Sequence, residues 1–190
     1  MEEKKKSKFT LFLDKIDDKA EQKGKLWKTA WQFVKFSLVS FLLSLIQLGL
    51  VNLLFFLMKS WTTPLPGLLG QIFSEESMGK GHSTYGFIVP FFVSNLVANT
   101  IGYFLNKSKT FKSDAPFWHY LVYILVIIIL ILFTTWLQGI IVNSLIVSGV
   151  EVIAPTLAGM IAGSIQFFVL FPLQKFVFLR EKKKEESPLE

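Results

Sequence analysis

Cysteine is absent from the 190 residues, so neither a disulfide framework nor a thiolate metal site is available. Histidine is almost as scarce: His82 and His119 stand far apart and belong to no metal-spacing motif. Aspartate and glutamate are missing from every long apolar block. That omission disfavours a proton-coupled drug pump, which usually needs an intramembrane acid as carrier. No His–Glu pair and no metal triad is present in those blocks either. The expectation is a protein that is not an enzyme and uses no cofactor.

What is abundant is hydrocarbon. Hydrophobic residues make up 52% of the chain and aromatics 15%, with 20 phenylalanines. This exceeds the roughly 45–50% of a soluble domain, a figure that already counts glycine. The apolar residues form long blocks divided by short polar segments. A net charge of +6 lies at the two ends and in one loop. A membrane protein facing anionic lipid explains that distribution more simply than a nucleic-acid binder.

A membrane-crossing helix needs roughly 20 mainly apolar residues. Four stretches qualify: about 33–58, 84–105, 118–143 and 152–174. Helices buried in a soluble protein are the alternative, but they rarely run this long without a central charge. The first block begins about thirty residues in, is too long for a signal-peptide core and has no small-residue cleavage site, so it is expected to be retained. The fold class expected is an all-α integral membrane protein with four transmembrane helices. Its parts are a cytoplasmic amphipathic and basic segment (1–30), a four-helix membrane domain (31–180) and a disordered cytoplasmic tail (181–190).

Lysine and arginine set the orientation. Residues 1–35, the loop bearing Lys107, Lys109 and Lys112, and the tail from Lys175 hold 18 of the 20 basic residues; only Lys59 and Lys80 fall on the other side. An even number of spans then puts both termini on the cytoplasmic side. The loop from about Trp61 to Ser83 and the turn near Ser148–Glu151 are expected outside, the former with a short helix around Leu68 to Phe73. In the N-terminal segment, Phe9, Phe12, Leu13 and Ile16 follow helical i, i+3, i+4, i+7 spacing. Three readings stand for it: a helix on the membrane surface, a helix that docks a partner, or a partly ordered tail.

The halves echo one another. Residues 30–39 (AWQFVKFSLV) align without a gap with 117–126 (FWHYLVYILV), and Tyr103-Phe104-Leu105-Asn106-Lys107 aligns with Phe171-Pro172-Leu173-Gln174-Lys175. Two helices per half, both starting inside, make a parallel repeat of two two-helix units. Convergent composition of apolar spans is the alternative. Many transporters place a site between such halves.

Polar residues in the spans fall in stripes. Ser37, Ser40, Ser44 and Gln47 share a face of the first, and Asn95, Asn99, Gly102 and Asn106 form a stripe on the second. Thr134, Thr135 and Gln138 mark the third. Gly159, Gly163 and Gln166 run toward Gln174 on the fourth. Small residues and a GxxxG pattern fit helix packing. The carboxamides Asn95, Asn99 and Gln166 exceed what packing requires and point to a polar groove. Two stripes end beside Lys107 and Lys175, which suits an amphiphile with an anionic head; orientation by charge alone is the other reading of these lysines.

The run from Ala98 to Phe111 (ANTIGYFLNKSKTF) resembles the end of the second span in GtrA-like proteins, a family of small four-span bacterial membrane proteins. Lys35-Phe36 before a long span resembles their start, and Gln174-Lys175-Phe176-Val177-Phe178 is similar to their second-half ending. Lys109 stands where an aromatic is usual, and Gln174 replaces an asparagine. The resemblance covers about residues 30 to 180 and matches the motif at Asn106, Lys107, Thr110 and Phe111. It implies a protein of the bacterial cytoplasmic membrane that flips an undecaprenyl-phosphate-linked sugar for surface-polysaccharide or teichoic-acid glycosylation, with a membrane glycosyltransferase as partner. The expected substrate-binding residues are Asn95, Asn99, Gln138 and Gln166 for the sugar, Lys35, Lys107 and Lys175 for the phosphate, and Asn106, Thr110 and Gln174 beside them. A homo-oligomer is expected because four spans enclose little volume; nucleic acid is not. A non-transporting accessory subunit of the glycosyltransferase and a small-molecule exporter are the rival readings.

Overall fold

The computed structural model describes residues 8–78, 83–150 and 153–180. The expected disordered tail, 181–190, lies outside them, as do Lys80, His82 and Glu151. Every extended element among the described residues is helical, and four helices are long and apolar enough to cross a membrane.

Helix α1 (Lys8–Gln22) ends at a turn where Gly24 takes φ 101°, a left-handed conformation that favours glycine. The chain folds back into α2 (Lys25–Met58), so that α1 lies along the start of α2. At 1.5 Å per residue the 34 residues of α2 extend about 51 Å, well beyond a hydrocarbon core of roughly 30 Å. The surplus is at the lysine-rich end, where α2 begins ahead of the expected Phe33. The sequence stripe on α1 is split by docking. Leu13, Asp14, Ile16 and Asp17 are half-buried and Ala20 is buried, while Leu11 and Phe12 stay exposed. The side chain of Phe9 is outside the described residues.

After α2 the chain passes through α3 (Gly67–Ile72) and α4 (Glu75–Met78) before returning as α5 (Tyr85–Leu105). A backbone bridge between Pro64 and Thr84 pins this loop, and Phe73 is fully buried against Leu65 and Ile88. The α2–α5 hairpin is tightest at Gly86, whose N–H donates to the Trp61 carbonyl at 2.9 Å. A Cβ there would sit 2.6 Å from the Met58 carbonyl oxygen, so only glycine fits. Helices α6 (Phe117–Val147) and α7 (Ala154–Pro172) form the second hairpin.

The hairpins join along α5 and α6 and where α4, in the loop of the first, packs on α6, while α2 and α7 touch sparingly. Where they do touch, at the lysine-rich end, the contact is aromatic. Phe33 packs on Phe171 at 5.0 Å, and Phe36 packs on Phe167 and Phe171, each at 5.3 Å. Across the molecule Tyr123 packs on Tyr103 at 4.6 Å and Tyr120 on Tyr103 at 5.3 Å. These rings other than Phe33, with Ile127, Ile131 and Leu179, form the main core. Elsewhere large apolar side chains face outward, among them Leu38, Phe41 and Leu45 on α2 and Leu125, Ile129 and Phe133 on α6. Aqueous solvent does not tolerate apolar belts of that extent on a monomer; lipid does.

Candidate functional site

The four polar stripes converge. A cavity of about 880 Å³ lies between α2 and α7, floored by α5 and α6. Ser37, Ser40, Ser44 and Gln47 line it from α2, Asn95, Asn99 and Gly102 from α5, and Asn106 from the turn that follows α5. Thr134, Thr135 and Gln138 come from α6, Gly159, Gly163 and Gln166 from α7, and Gln174 from the turn that follows α7. Phe41, Met160 and Phe168 line it and are exposed, as are Ser44 and Ser164. The groove is therefore mixed in character: its carboxamides and hydroxyls share the interior with buried Phe36, Leu43, Ala98 and Leu170, and exposed hydrocarbon borders its mouth.

Within it the carboxamides are partly spent on one another. Gln166 Nε2 donates to Asn95 Oδ1 at 3.3 Å, and Asn99 Nδ2 donates to the Asn95 carbonyl at 2.9 Å. A Cβ on Gly159 would lie 3.5 Å from Gln138 Nε2, ordinary contact between α7 and α6. A Cβ on Gly163 would meet nothing within 4 Å. The glycine pair thus does not act as one packing patch: Gly163 faces open space in the groove.

At the lysine-rich end the groove is closed by a chain of hydrogen bonds. Thr110 Oγ1 donates to Asn106 Oδ1 at 2.8 Å, and Asn106 Nδ2 donates to Gln174 Oε1 at 2.9 Å. Gln174 Nε2 donates to the Tyr123 hydroxyl at 3.0 Å, which donates to the Asn99 carbonyl at 3.4 Å. Thr110, Asn106, Gln174 and Tyr123 are all buried. A buried polar chain survives only if each member is satisfied, and here each is. Among the described residues, the Tyr103 hydroxyl is the buried side-chain polar atom left without a partner.

Both carboxamides begin a widened helical turn. The stretches Asn106–Thr110 and Leu173–Phe178 are π-helical, and the Phe111 and Leu179 N–H groups donate five residues back to Asn106 and Gln174, at 2.8 and 2.7 Å. Such turns are rare and often mark functional sites. They redirect the chain at the same depth in the two halves.

None of the three lysines expected to hold phosphate lines the groove. Lys107 donates to the Ala115 carbonyl. Lys175 donates to Thr29 Oγ1 at 2.7 Å and Gln32 Oε1 at 2.6 Å, with its ammonium 5.5 Å from the Phe176 ring. Lys35 is buried, 2.8 Å from Asp17 Oδ1 and 3.1 Å from the Lys109 carbonyl. Lys35 and Thr110 line a second cavity, of about 250 Å³, between α1, α2 and the loop after α5.

That second cavity depends on residues the sequence reading passed over. Asp17 accepts from Trp31 Nε1 at 2.6 Å, and its second oxygen lies 2.8 Å from Lys112 Nζ. Burial pushes the Asp17 carboxyl upward, but the hydrogen bonds and charges of Lys112 and Lys35 outweigh that and hold it below its ordinary value. Lys112 shows the reverse. Burial would lower it, yet Asp17 and Asp14 hold it above its ordinary value. An acid on a helix otherwise read by its apolar stripe was the one available signal.

Among the described residues no cluster of three or more His, Cys, Asp or Glu could hold a metal ion. Compared with protein-family models, with curated proteins and with solved structures, the chain matches none.

Proposed function

We propose that the protein carries a polyprenyl-phosphate-linked sugar across the bacterial cytoplasmic membrane, for surface-polysaccharide or teichoic-acid glycosylation. The observation that carries this reading is the lateral groove between α2 and α7, which sets carboxamides and hydroxyls among apolar walls and opens past exposed Phe41, Met160 and Phe168. A sugar headgroup needs several neutral hydrogen-bonding partners, which Asn95, Asn99, Gln138 and Gln166 offer. Its polyprenyl tail needs an open side facing lipid, and the sparse α2–α7 contact leaves one.

In this reading both termini lie in the cytoplasm, and the lysine-rich end receives the phosphate from a glycosyltransferase on that side. The two hairpins are copies of one unit. Residues aligned between the halves make matching contacts: Phe36 on Phe171 and Tyr123 on Tyr103, Phe33 on Phe171 and Tyr120 on Tyr103. Asn106 and Gln174, also aligned, bond to each other. The aromatic contacts and this carboxamide bond then form an inner gate, closed in the present structure. Helix α1 lies at the membrane surface, and a second copy of the chain completes the enclosure.

A reconstituted system tests the proposal. Protein in liposomes should accelerate exposure of a fluorescent undecaprenyl-phosphate-linked sugar to an external quencher, and Asn95→Leu with Gln166→Leu should abolish the gain. Transfer no faster than in protein-free liposomes would sink it. The accessory-subunit reading draws on one feature, the exposed Leu11, Phe12, Leu26 and Trp27 around the α1–α2 turn. Co-purification of the glycosyltransferase without any acceleration of transfer would favour it.

A further inference from the structure

Three donors from separate parts of the fold converge on one carboxylate. Trp31 and Lys35 sit on α2, Lys112 follows the π-helical turn after α5, and all three bond to Asp17 of α1. Lys112 holds a left-handed backbone, φ 48°, which is unfavourable for a residue with a Cβ. Such an outlier persists where the surroundings over-determine it, and here Asp14 and Asp17 both grip its ammonium, at 3.0 and 2.8 Å. The cavity beside this cluster, of about 250 Å³, has space for a group much larger than a water, whose share of liquid volume is about 30 Å³.

Two ammonium groups and an indole N–H aimed at one point describe an anion site. The internal carboxylate now fills it. A phosphate monoester, such as the headgroup of a polyprenyl phosphate before or after it carries its sugar, offers more acceptor oxygens and more charge than a carboxylate. It cannot simply join Asp17 there, because Asp17, Asp18 and Glu21 all line the same cavity and would repel it. Entry of phosphate therefore requires α1 to leave.

We propose that Trp31, Lys35 and Lys112 form a phosphate-binding site, and that Asp17 occupies it as a built-in stand-in anion whose displacement releases α1. This rests on the reading of the lysine-rich end as the entry for a phosphate lipid, and it adds a latch: the entry is shut by the protein's own carboxylate until a phosphate group competes it away.

The test uses the full chain in maltoside micelles, which contain no phosphate, with dodecyl phosphate and inorganic phosphate as probes. Asp17→Asn should bind dodecyl phosphate about tenfold tighter than the wild type, since the competent state no longer has to be freed from an internal competitor. Asp17→Glu should behave as wild type. Lys35→Gln or Lys112→Gln added to Asp17→Asn should erase the gain. In the wild type, saturating dodecyl phosphate should raise amide hydrogen exchange across residues 8–22. A preference for dodecyl phosphate identifies a lipid headgroup as the source, and equal binding of inorganic phosphate identifies a free anion. Unchanged affinity in Asp17→Asn overturns the proposal. So does unchanged α1 protection in the wild type at saturation, a measurement that needs no variant to fold. Wild-type protein that binds dodecyl phosphate yet moves no lipid-linked sugar would remove the flipping reading alone. A transporting Asp17→Asn that binds no tighter would remove the latch alone.

Discussion

Asn106 shows what one side chain does in this protein. Its amide donates to Gln174, its carbonyl accepts from Thr110, and its backbone oxygen takes the Phe111 N–H that widens the turn. Asn106→Ala leaves the Gln174 oxygen and the Thr110 hydroxyl buried with a lost partner each. A cost of about 1–3 kcal/mol follows, readable as a lower unfolding midpoint in detergent. Because Asn106 and Gln174 are bonded, the double variant with Gln174→Ala should cost clearly less than the sum of the singles, a coupling a double-mutant cycle measures. Glycines separate in the same way. Gly86→Ala drives a Cβ to 2.6 Å from the Met58 carbonyl, and backbone cannot yield, so about 1–3 kcal/mol is lost. Gly102→Ala meets only the Leu43 Cδ1, at 2.7 Å, the end of a side chain that can rotate. It should lower the midpoint less than Gly86→Ala. Neither glycine's partner was legible from sequence. Gly102 was visible as a member of a stripe, but Gly86 looked like any glycine near a span end.

Among the described residues, α1 is held by ion pairs to Lys28, Lys35 and Lys112 as well as by its half-buried apolar face. Asp17 titrates below its ordinary 3.8, so its contribution is complete above that value and is lost as pH falls through the depressed one. Lys112 titrates above its ordinary 10.5, so its contribution is complete below that value and is lost as pH rises through the raised one. Amide protection of residues 8–22 should therefore be flat from about pH 5 to 9 and fall only beyond, on both sides. Protection that changed with pH near neutrality would contradict this pairing. The Lys112 side chain is 52% exposed, so molar salt should loosen α1 in part, while the Lys35 pair, at 9%, holds. The helical period of α1 was readable from Phe12, Leu13 and Ile16. Its docked face was not, because an acid at a solvent position and an acid bound by a lysine 18 residues away look alike in sequence.

At the scale of the whole molecule, the main feature is that two tight hairpins meet along α5 and α6 and leave α2 and α7 apart. Gly163 faces the resulting groove with open space around it. Gly163→Phe should fill the groove without disturbing packing: on the proposed transport function, transfer of lipid-linked sugar falls by at least tenfold, which is about 1.4 kcal/mol in barrier, and the unfolding midpoint stays within error. The chain has no cysteine, so single-cysteine variants report topology without background. If both termini lie inside, as proposed, Lys109→Cys should react with an impermeant maleimide only after the membrane is opened, and Lys59→Cys should react from outside in intact cells.

The number of spans, their approximate positions and their polar faces were determined by sequence alone, because hydrocarbon demands long uncharged helices that satisfy their own backbone and side-chain spacing along a helix is local. Tertiary structure decided which faces meet and what the cations do. Four stripes became one groove only through the packing of two hairpins. Lys35, Lys107 and Lys175 became partners of a carboxylate, a carbonyl and an amide, the last 143 residues away in the chain. A charge carries no record in sequence of the neighbour that folding will bring to it.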